Sequence, residues 1–188
     1  MRRQVFRKPV STEHALLGYR CPGQADSDWL LVEFVHELLF GGASSRLYKR
    51  LVIDEEIASS AGGHVAPFRD PGLYEIDISA KRERSIEDAM RIVDEEIARL
   101  QTEPPSADEM RRARNRMETG FWSSMETADG KAESLGHYET TLGDFVTLFD
   151  TVRRIEVIGA EDVTRAAARY LSPSQRTVVV AVPNGDPS

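Results

Sequence analysis

The residues that could carry chemistry in this chain are four histidines, one cysteine and several paired carboxylates. The histidines are His14, His36, His64 and His137. A zinc site that activates water needs two histidines one helical turn apart, with a carboxylate beside them. Around His36 the chain reads His36-Glu37-Leu38-Leu39-Phe40, so Phe40 stands where a His-Glu-x-x-His motif needs its second histidine. Around His14 it reads Val10-Ser11-Thr12-Glu13-His14, so Val10 replaces the first histidine of the inverted His-x-x-Glu-His motif. Neither string holds zinc by itself. Glu33 and His36 have the Glu-x-x-His spacing of di-iron helices, but that chemistry needs a second such pair, and Glu133 and His137 are spaced differently. The pair reads as a solvated stripe on an otherwise buried helix.

Nucleophiles fare no better. No Gly-x-Ser-x-Gly elbow is present. Cys21 alternates with Arg20 inside a strand pattern and reads as a small core residue. Gly41-Gly42 precedes a helix start and could present N–H groups to an anion, but no Gly-x-x-x-x-Gly-Lys-Ser/Thr pattern follows, so a nucleotide loop is not expected. The clusters Glu55-Glu56, Glu95-Glu96 and Arg111-Arg112-x-Arg114-x-Arg116 read as solvated helix faces.

Composition narrows the classes further. The chain has 188 residues, 24 basic and 31 acidic, for a formal charge of −7. That acidity argues against nucleic-acid binding. Lys8, Lys49, Lys81 and Lys131 are the only lysines, and this arginine bias reads as a GC-rich genome. A single cysteine excludes an intrachain disulfide. No apolar run approaches the roughly 18 residues of a membrane span. The start, Met1 to Pro9, is basic without the apolar stretch of a signal peptide, and bacterial periplasm and cytoplasm are both compatible.

The elements that must position these residues are short strands between long helices. Glu13–Gly23 alternates as a strand. A helix spans about Asp28–Phe40, with Ser27 as N-cap and Gly41 as a left-handed C-terminal glycine. A second helix covers about Arg46–Glu55, followed by a hairpin, Ser59–Phe68 and Leu73–Lys81, around Arg69-Asp70-Pro71-Gly72. Ser85 caps a helix over Ile86–Gln101, Pro104-Pro105 stops it, and Ser106-Ala107-Asp108-Glu109 has the capping-box pattern that opens a helix through Arg111–Met125. Helix continues to Leu142 with a break near Asp129-Gly130, then over Phe145–Ile158 and Ala160–Tyr170. Arg176–Pro183 is apolar on both faces and reads as a central strand. The hairpin excludes a pure βαβ series. The expected fold is α+β: one domain over residues 1–188, with a single mixed, mostly antiparallel sheet and helices packed on one face.

The string Leu38-Leu39-Phe40-Gly41-Gly42-Ala43-Ser44-Ser45-Arg46-Leu47-Tyr48-Lys49-Arg50-Leu51-Val52 resembles the Gly-x-Ser-Ser-Arg-Leu segment of M16 metallopeptidases, the pitrilysin, insulinase and mitochondrial-processing-peptidase proteins. Arg2–Gly23, Ile86–Leu100, Pro-Pro-Ser-x-x-Glu at 104–109 and Arg112–Asn115 resemble the rest of one domain of that family, in order. The resemblance covers essentially the whole chain.

It implies the second, non-catalytic domain of an M16 unit. Such a unit has two similar α+β domains, and two units close like a clam shell on a peptide. Zinc then belongs to the parent protein's first domain, and this chain carries no cofactor. The implied partners are the zinc-bearing domain, a second M16 unit and a peptide substrate. Gly41, Gly42, Ser44, Ser45 and Arg46 are the implied peptide or partner contacts. In the unit that completes the active site, an arginine and a tyrosine seven residues later bind substrate. Alignment places Val52 and Ser59 there, so this chain resembles the second domain of the zinc-bearing unit instead. An M16-like assembly subunit without protease activity, or a peptide-binding module, are the alternatives.

Overall fold

Strands with one dry side and one wet side must bury the dry side against another layer. The computed structural model describes residues 2–184. In chain order the elements are β1 (Arg2–Lys8), β2 (His14–Cys21), α1 (Trp29–Phe40), α2 (Arg46–Tyr48), β3 (Ala58–Val65), β4 (Gly72–Ala80), α3 (Ile86–Thr102), α4 (Ala107–Ser124), α5 (Ala128–Leu142), α6 (Thr147–Val157), α7 (Ala160–Tyr170) and β5 (Thr177–Pro183). A π-helical turn, Lys49–Asp54, continues α2, and a 3₁₀ turn, Pro173–Gln175, precedes β5. The sheet order is β1-β5-β2-β4-β3, with β1 parallel to β5 and the other pairs antiparallel. This is the mixed, mostly antiparallel sheet that the sequence predicts.

The alternation decides which side the helices take. Leu17 and Tyr19 on β2, Tyr74, Ile76 and Ile78 on β4, and Val178 and Val180 on β5 are all buried. On the opposite side Leu16 and Leu73 stay 41% and 46% exposed, so the helices cover one face only. α1, α3 and α7 complete the core with Phe34, Leu39, Ile92, Ile97, Val163 and Ala167. Arg176, buried just before β5, locks α3 to the sheet. Its guanidinium holds Asp94 on α3 with both terminal nitrogens and donates to the Tyr19 hydroxyl on β2 at 3.2 Å.

Several expectations need correction. No strand is expected before Glu13, yet Arg2–Lys8 forms β1. All its residues are exposed and its pattern is basic, so hydropathy carries no signal. Its backbone ladder on β5, from Arg2↔Thr177 to Lys8↔Pro183, holds it instead. β5 is interior, but only one of its faces is buried; Val179 and Ala181 are half-exposed on the open side. Asp28, not Ser27, precedes α1, and its side chain makes no cap because it accepts from Arg169 at 2.7 Å and from the Tyr170 hydroxyl at 2.8 Å. The interruption after α4 falls before Thr127, whose side chain caps Gly130 N–H at 3.0 Å, so Asp129-Gly130 belongs to the first turn of α5.

The helix expected over Arg46–Glu55 changes type at Lys49. Lys49–Asp54 and Arg50–Glu55 are ion pairs five residues apart. An α-helix turns such pairs onto diverging faces, whereas i→i+5 backbone bonds such as Glu55 N–H to Arg50 C=O bring them together. Arg50 also reaches Glu95 and Glu96 on α3. Glu96 is buried by this contact, so neither glutamate pair forms a simple solvated face.

α5 is the outlier of the helical layer: none of its residues is buried. Helices of this length draw most of their stability from a packed face. Local opening should therefore be cheapest here. Amide hydrogen exchange in α5 is expected to run about a hundredfold or more faster than in α3, whose Ile92, Val93 and Ile97 are fully buried. Equal protection in the two helices would contradict this reading.

Candidate functional site

The loop between α1 and α2 has to turn sharply between two elements that both bury leucines. Gly41 N–H closes α1 on Glu37 C=O at 2.8 Å, and Gly42 N–H donates to Phe40 C=O at 2.7 Å. The left-handed residue is Gly42, at φ +107°, and not Gly41, at φ −69°. Gly41 is required by space instead: a Cβ there would lie 2.1 Å from Glu37 Oε2 and 2.3 Å from the Glu37 carbonyl oxygen. At Gly42 a Cβ would meet Arg116 Nη1 at 3.0 Å. The Gly42 carbonyl then accepts twice from Ser45, from its N–H at 3.0 Å and its hydroxyl at 2.6 Å. This buries Ser45 and leaves Ala43 and Ser44 exposed at the tip.

Two ion pairs fasten the loop to α4. Arg46 donates to both oxygens of Glu109, Nε to Oε1 at 2.7 Å and Nη2 to Oε2 at 3.2 Å. Glu109 is also the capping-box residue of α4, accepting from Ser106 N–H at 2.9 Å and the Ser106 hydroxyl at 2.8 Å. Burial pushes the Glu109 carboxyl up, but the Arg46 and Ser106 hydrogen bonds outweigh it and hold it at about 2. Further along α4, Arg116 Nε pairs with Glu37 Oε2 at 3.0 Å. A cleft of about 430 Å³ opens between the loop and α4, lined by Glu37, Gly41, Gly42, Ser44, Arg112, Asn115 and Arg116. Its rim offers hydroxyl, amide and guanidinium donors suited to backbone carbonyls. It contains no nucleophile beside a base.

The structure thus brings Gly41, Gly42, Ser44 and Ser45 into one cleft wall, holds Arg46 outside the lining on Glu109, and separates Val52 and Ser59 from it. Val52 is half-buried against the core in the π-helical turn. Ser59 is exposed on β3 beside a register shift, its hydroxyl donating to Ser79 C=O at 3.1 Å. Sequence reasoning missed the clamp partners of the loop, because Glu109 and Arg116 lie far along the chain. The one available signal was the capping box, which marks Glu109 for a local role only. In the arginine run Arg111, Arg112 and Arg116 are exposed as a solvated face would be, but Arg114 is half-buried with Nη2 donating to Ile158 C=O at 3.0 Å, and Arg116 holds Glu37.

Glu33 and His36 are also not a solvated stripe. Both are half-buried on α1, beside a cavity of about 370 Å³ shared with Gly63, Phe121 and Thr151. Burial pushes Glu33 up to about 7, with the Glu37 charge adding to it against a hydrogen bond at Trp29. Burial also lowers the His36 pKa. His36 Nδ1 and the Tyr74 hydroxyl both face Gly63, where a Cβ would lie 2.9 and 2.8 Å from them. Among the described residues no three of His, Cys, Asp and Glu are grouped to hold a metal ion.

Residues 2–117 match the peptidase M16 inactive-domain family. The chain belongs to that family. An uncharacterized zinc protease of Mycobacterium tuberculosis is 26% identical over 181 residues, which is 96% of this chain and 41% of the relative. A protease from Helicobacter pylori superposes with a TM-score of 0.90 at 22% identity, over 96% of this chain and 44% of the other. An inactive peptidase domain from Bordetella parapertussis superposes with a TM-score of 0.83 at 23% identity, over 97% of each chain. The M16 inactive domain seen here therefore spans about two-fifths of the length of the curated relatives it matches.

Glu109 gives this site a pH signature. A carboxyl held below its unfolded value near 4.5 stabilises the fold fully above that value, and the contribution is lost as pH falls toward about 2. Glu109→Gln should therefore flatten the acid decline of thermal stability between pH of about 5 and about 2. A decline parallel to that of the unsubstituted chain would contradict the assignment.

Proposed function

We propose that this chain is a single non-catalytic domain of an M16 zinc endopeptidase, packed beside a zinc-bearing domain. It forms one wall of the chamber that encloses the peptide and contacts a second M16 unit. Membership of the inactive-domain family carries this reading. The clamped loop at Gly41–Arg46 supports it, because a chamber wall must hold its shape while peptides exchange. Among the described residues no cluster fits a zinc site, so zinc would reside in the parent's other domain, and no bond-breaking step is assigned to this chain. Ser44, Arg112 and Asn115 would meet the peptide backbone or the opposing unit.

Val52 and Ser59 support one side of the shell. Neither can donate as an arginine and a tyrosine would, and half-buried Val52 faces the core. This favours the second domain of the zinc-bearing unit over the one that completes the active site.

The test is kcat/KM of the parent assembly on a quenched peptide. Removal of this domain should abolish turnover, and the chain alone should show none. Val52→Arg with Ser59→Tyr should leave kcat/KM unraised, since a new guanidinium there meets no developing charge and costs burial energy. A tenfold rise, about 1.4 kcal/mol of transition-state stabilisation, would assign the domain to the other side. Full turnover without this domain would favour a separate assembly role.

A further inference from the structure

The cleft between the loop and α4 holds more positive charge than its own carboxylates neutralise. α4 places Arg111, Arg112, Arg114 and Arg116 within six residues. Three of them are engaged. Arg111 pairs with Asp108 at 2.6 Å, Arg114 donates to the carbonyls of Ile155 and Ile158, and Arg116 Nε holds Glu37. Arg112 lines the cleft, is exposed, and has no acceptor among the described residues. It lies one helical turn from Arg116, where like charges repel. The two carboxylates of the lining are already matched, Glu37 by Arg116 and Glu109 by Arg46 behind the wall. Three guanidiniums therefore stand against two carboxylates, and Arg112 is left over in a chain whose total charge is −7.

The facing wall adds donors and no free anion. Among the described residues the Ala43 and Ser44 N–H groups find no acceptor, and the Asn115 amide has no partner. The floor is apolar, with Leu38 and Ala113 buried. A cation over a low-dielectric floor attracts anions more strongly than one in open water. A peptide carbonyl would satisfy an N–H here but leave the Arg112 charge unanswered. A carboxylate answers both, because its two oxygens match a guanidinium fork and still accept from N–H groups. We propose that the loop–α4 cleft binds a carboxylate of the peptide, with Arg112 as its counter-ion and the Ala43 and Ser44 N–H groups and Asn115 as further donors. The carboxylate is an Asp or Glu side chain or the peptide's C-terminus, which present the same chemistry. The proposal rests on the chamber reading for the source of this ligand and adds the ligand's charge to it.

The probes are acetylated alanine tetrapeptides in three forms: a free C-terminal carboxylate, a C-terminal amide, and the amide with one internal Glu. Each is titrated into the full chain at about 0.1 M salt, where distant charges are screened. The amide shifts of Ala43, Ser44 and the Asn115 side chain read the binding. At least one carboxylate peptide should saturate these shifts about fivefold or more tighter than the neutral amide, the worth of one partly exposed charge pair. Binding of the free acid alone assigns the terminus, and binding of the Glu peptide alone assigns a side chain; either supports the proposal. Arg112→Gln should bring the carboxylate peptides down to the level of the amide at unchanged melting temperature, since Arg112 holds no other group. Arg112→Lys should restore part of the difference. Equal binding of all three peptides would overturn the proposal, as would carboxylate binding indifferent to Arg112→Gln. Inorganic phosphate bound more tightly than either carboxylate would also overturn it, by making the ligand an anion of another class. The titration involves no turnover, so its failure leaves the chamber reading to kcat/KM of the parent assembly, and failure of that reading leaves the titration to be judged by itself.

Discussion

The pair between Arg46 and Glu109 is the contact on which the geometry of the cleft depends. One carboxylate does three things: it closes the capping box that starts α4, it accepts two hydrogen bonds from Arg46, and it thereby sets the distance between the loop and α4. Arg46 follows directly on the Gly42–Ser45 turn, so fixing its guanidinium fixes the turn. The second pair, Glu37 with Arg116, closes the other end of the same wall. Forked, charge-assisted bonds of this kind specify direction as well as attraction. The side chains are 11% and 22% exposed, so the pair is partly sheltered and its loss would leave a charge uncompensated.

Given that wall, the rest of the architecture has a plain division of labour. The sheet's dry side and α1, α3 and α7 form the core, and Arg176 fastens α3 to β2 and β5. The other side of the sheet and the rim of the loop cleft are left open. An enzyme concentrates strained and perturbed groups where substrate binds. Here the most displaced carboxyls do structural work or lie beneath a helix: Glu109 is held low in a clamp and Glu33 is held high by burial. This suits a domain that shapes and borders a chamber rather than one that reacts with its contents.

How much of this could be read from the residues follows from the range of each signal. Alternation in β2 and β4, the Ser85 and Ser106 caps and the apolar face of α3 are local, and each appears where periodicity puts it. The Gly41-Gly42 turn was legible as a turn, but steric room behind Glu37 and contact with Arg116 decide which glycine takes positive φ, and those are tertiary facts. β1 was illegible because its seven residues are all exposed and only backbone pairing holds them. The π-helical turn was illegible because Arg50 bonds to Glu95 and Glu96 on another element as well as to Glu55. Glu33 and His36 misled because a polar stripe on a buried helix looks solvated until α4 and α6 are known to border it. Family resemblance supplied what periodicity could not, and it rested on the strings around Gly41–Arg46 and 104–109.

The central claim is that Arg46 and Glu109 act as one unit that holds the cleft wall. The direct measurement is a double-mutant cycle on unfolding free energy with Arg46→Ala, Glu109→Ala and the double variant, alongside Ser106→Ala as a control for the cap alone. A unit of this kind should give a coupling energy of about 1–3 kcal/mol between Arg46 and Glu109. It should also exceed the loss from Ser106→Ala. Additive effects, with coupling below about 0.3 kcal/mol, would mean that the loop is held by its glycines alone and that the clamp is incidental.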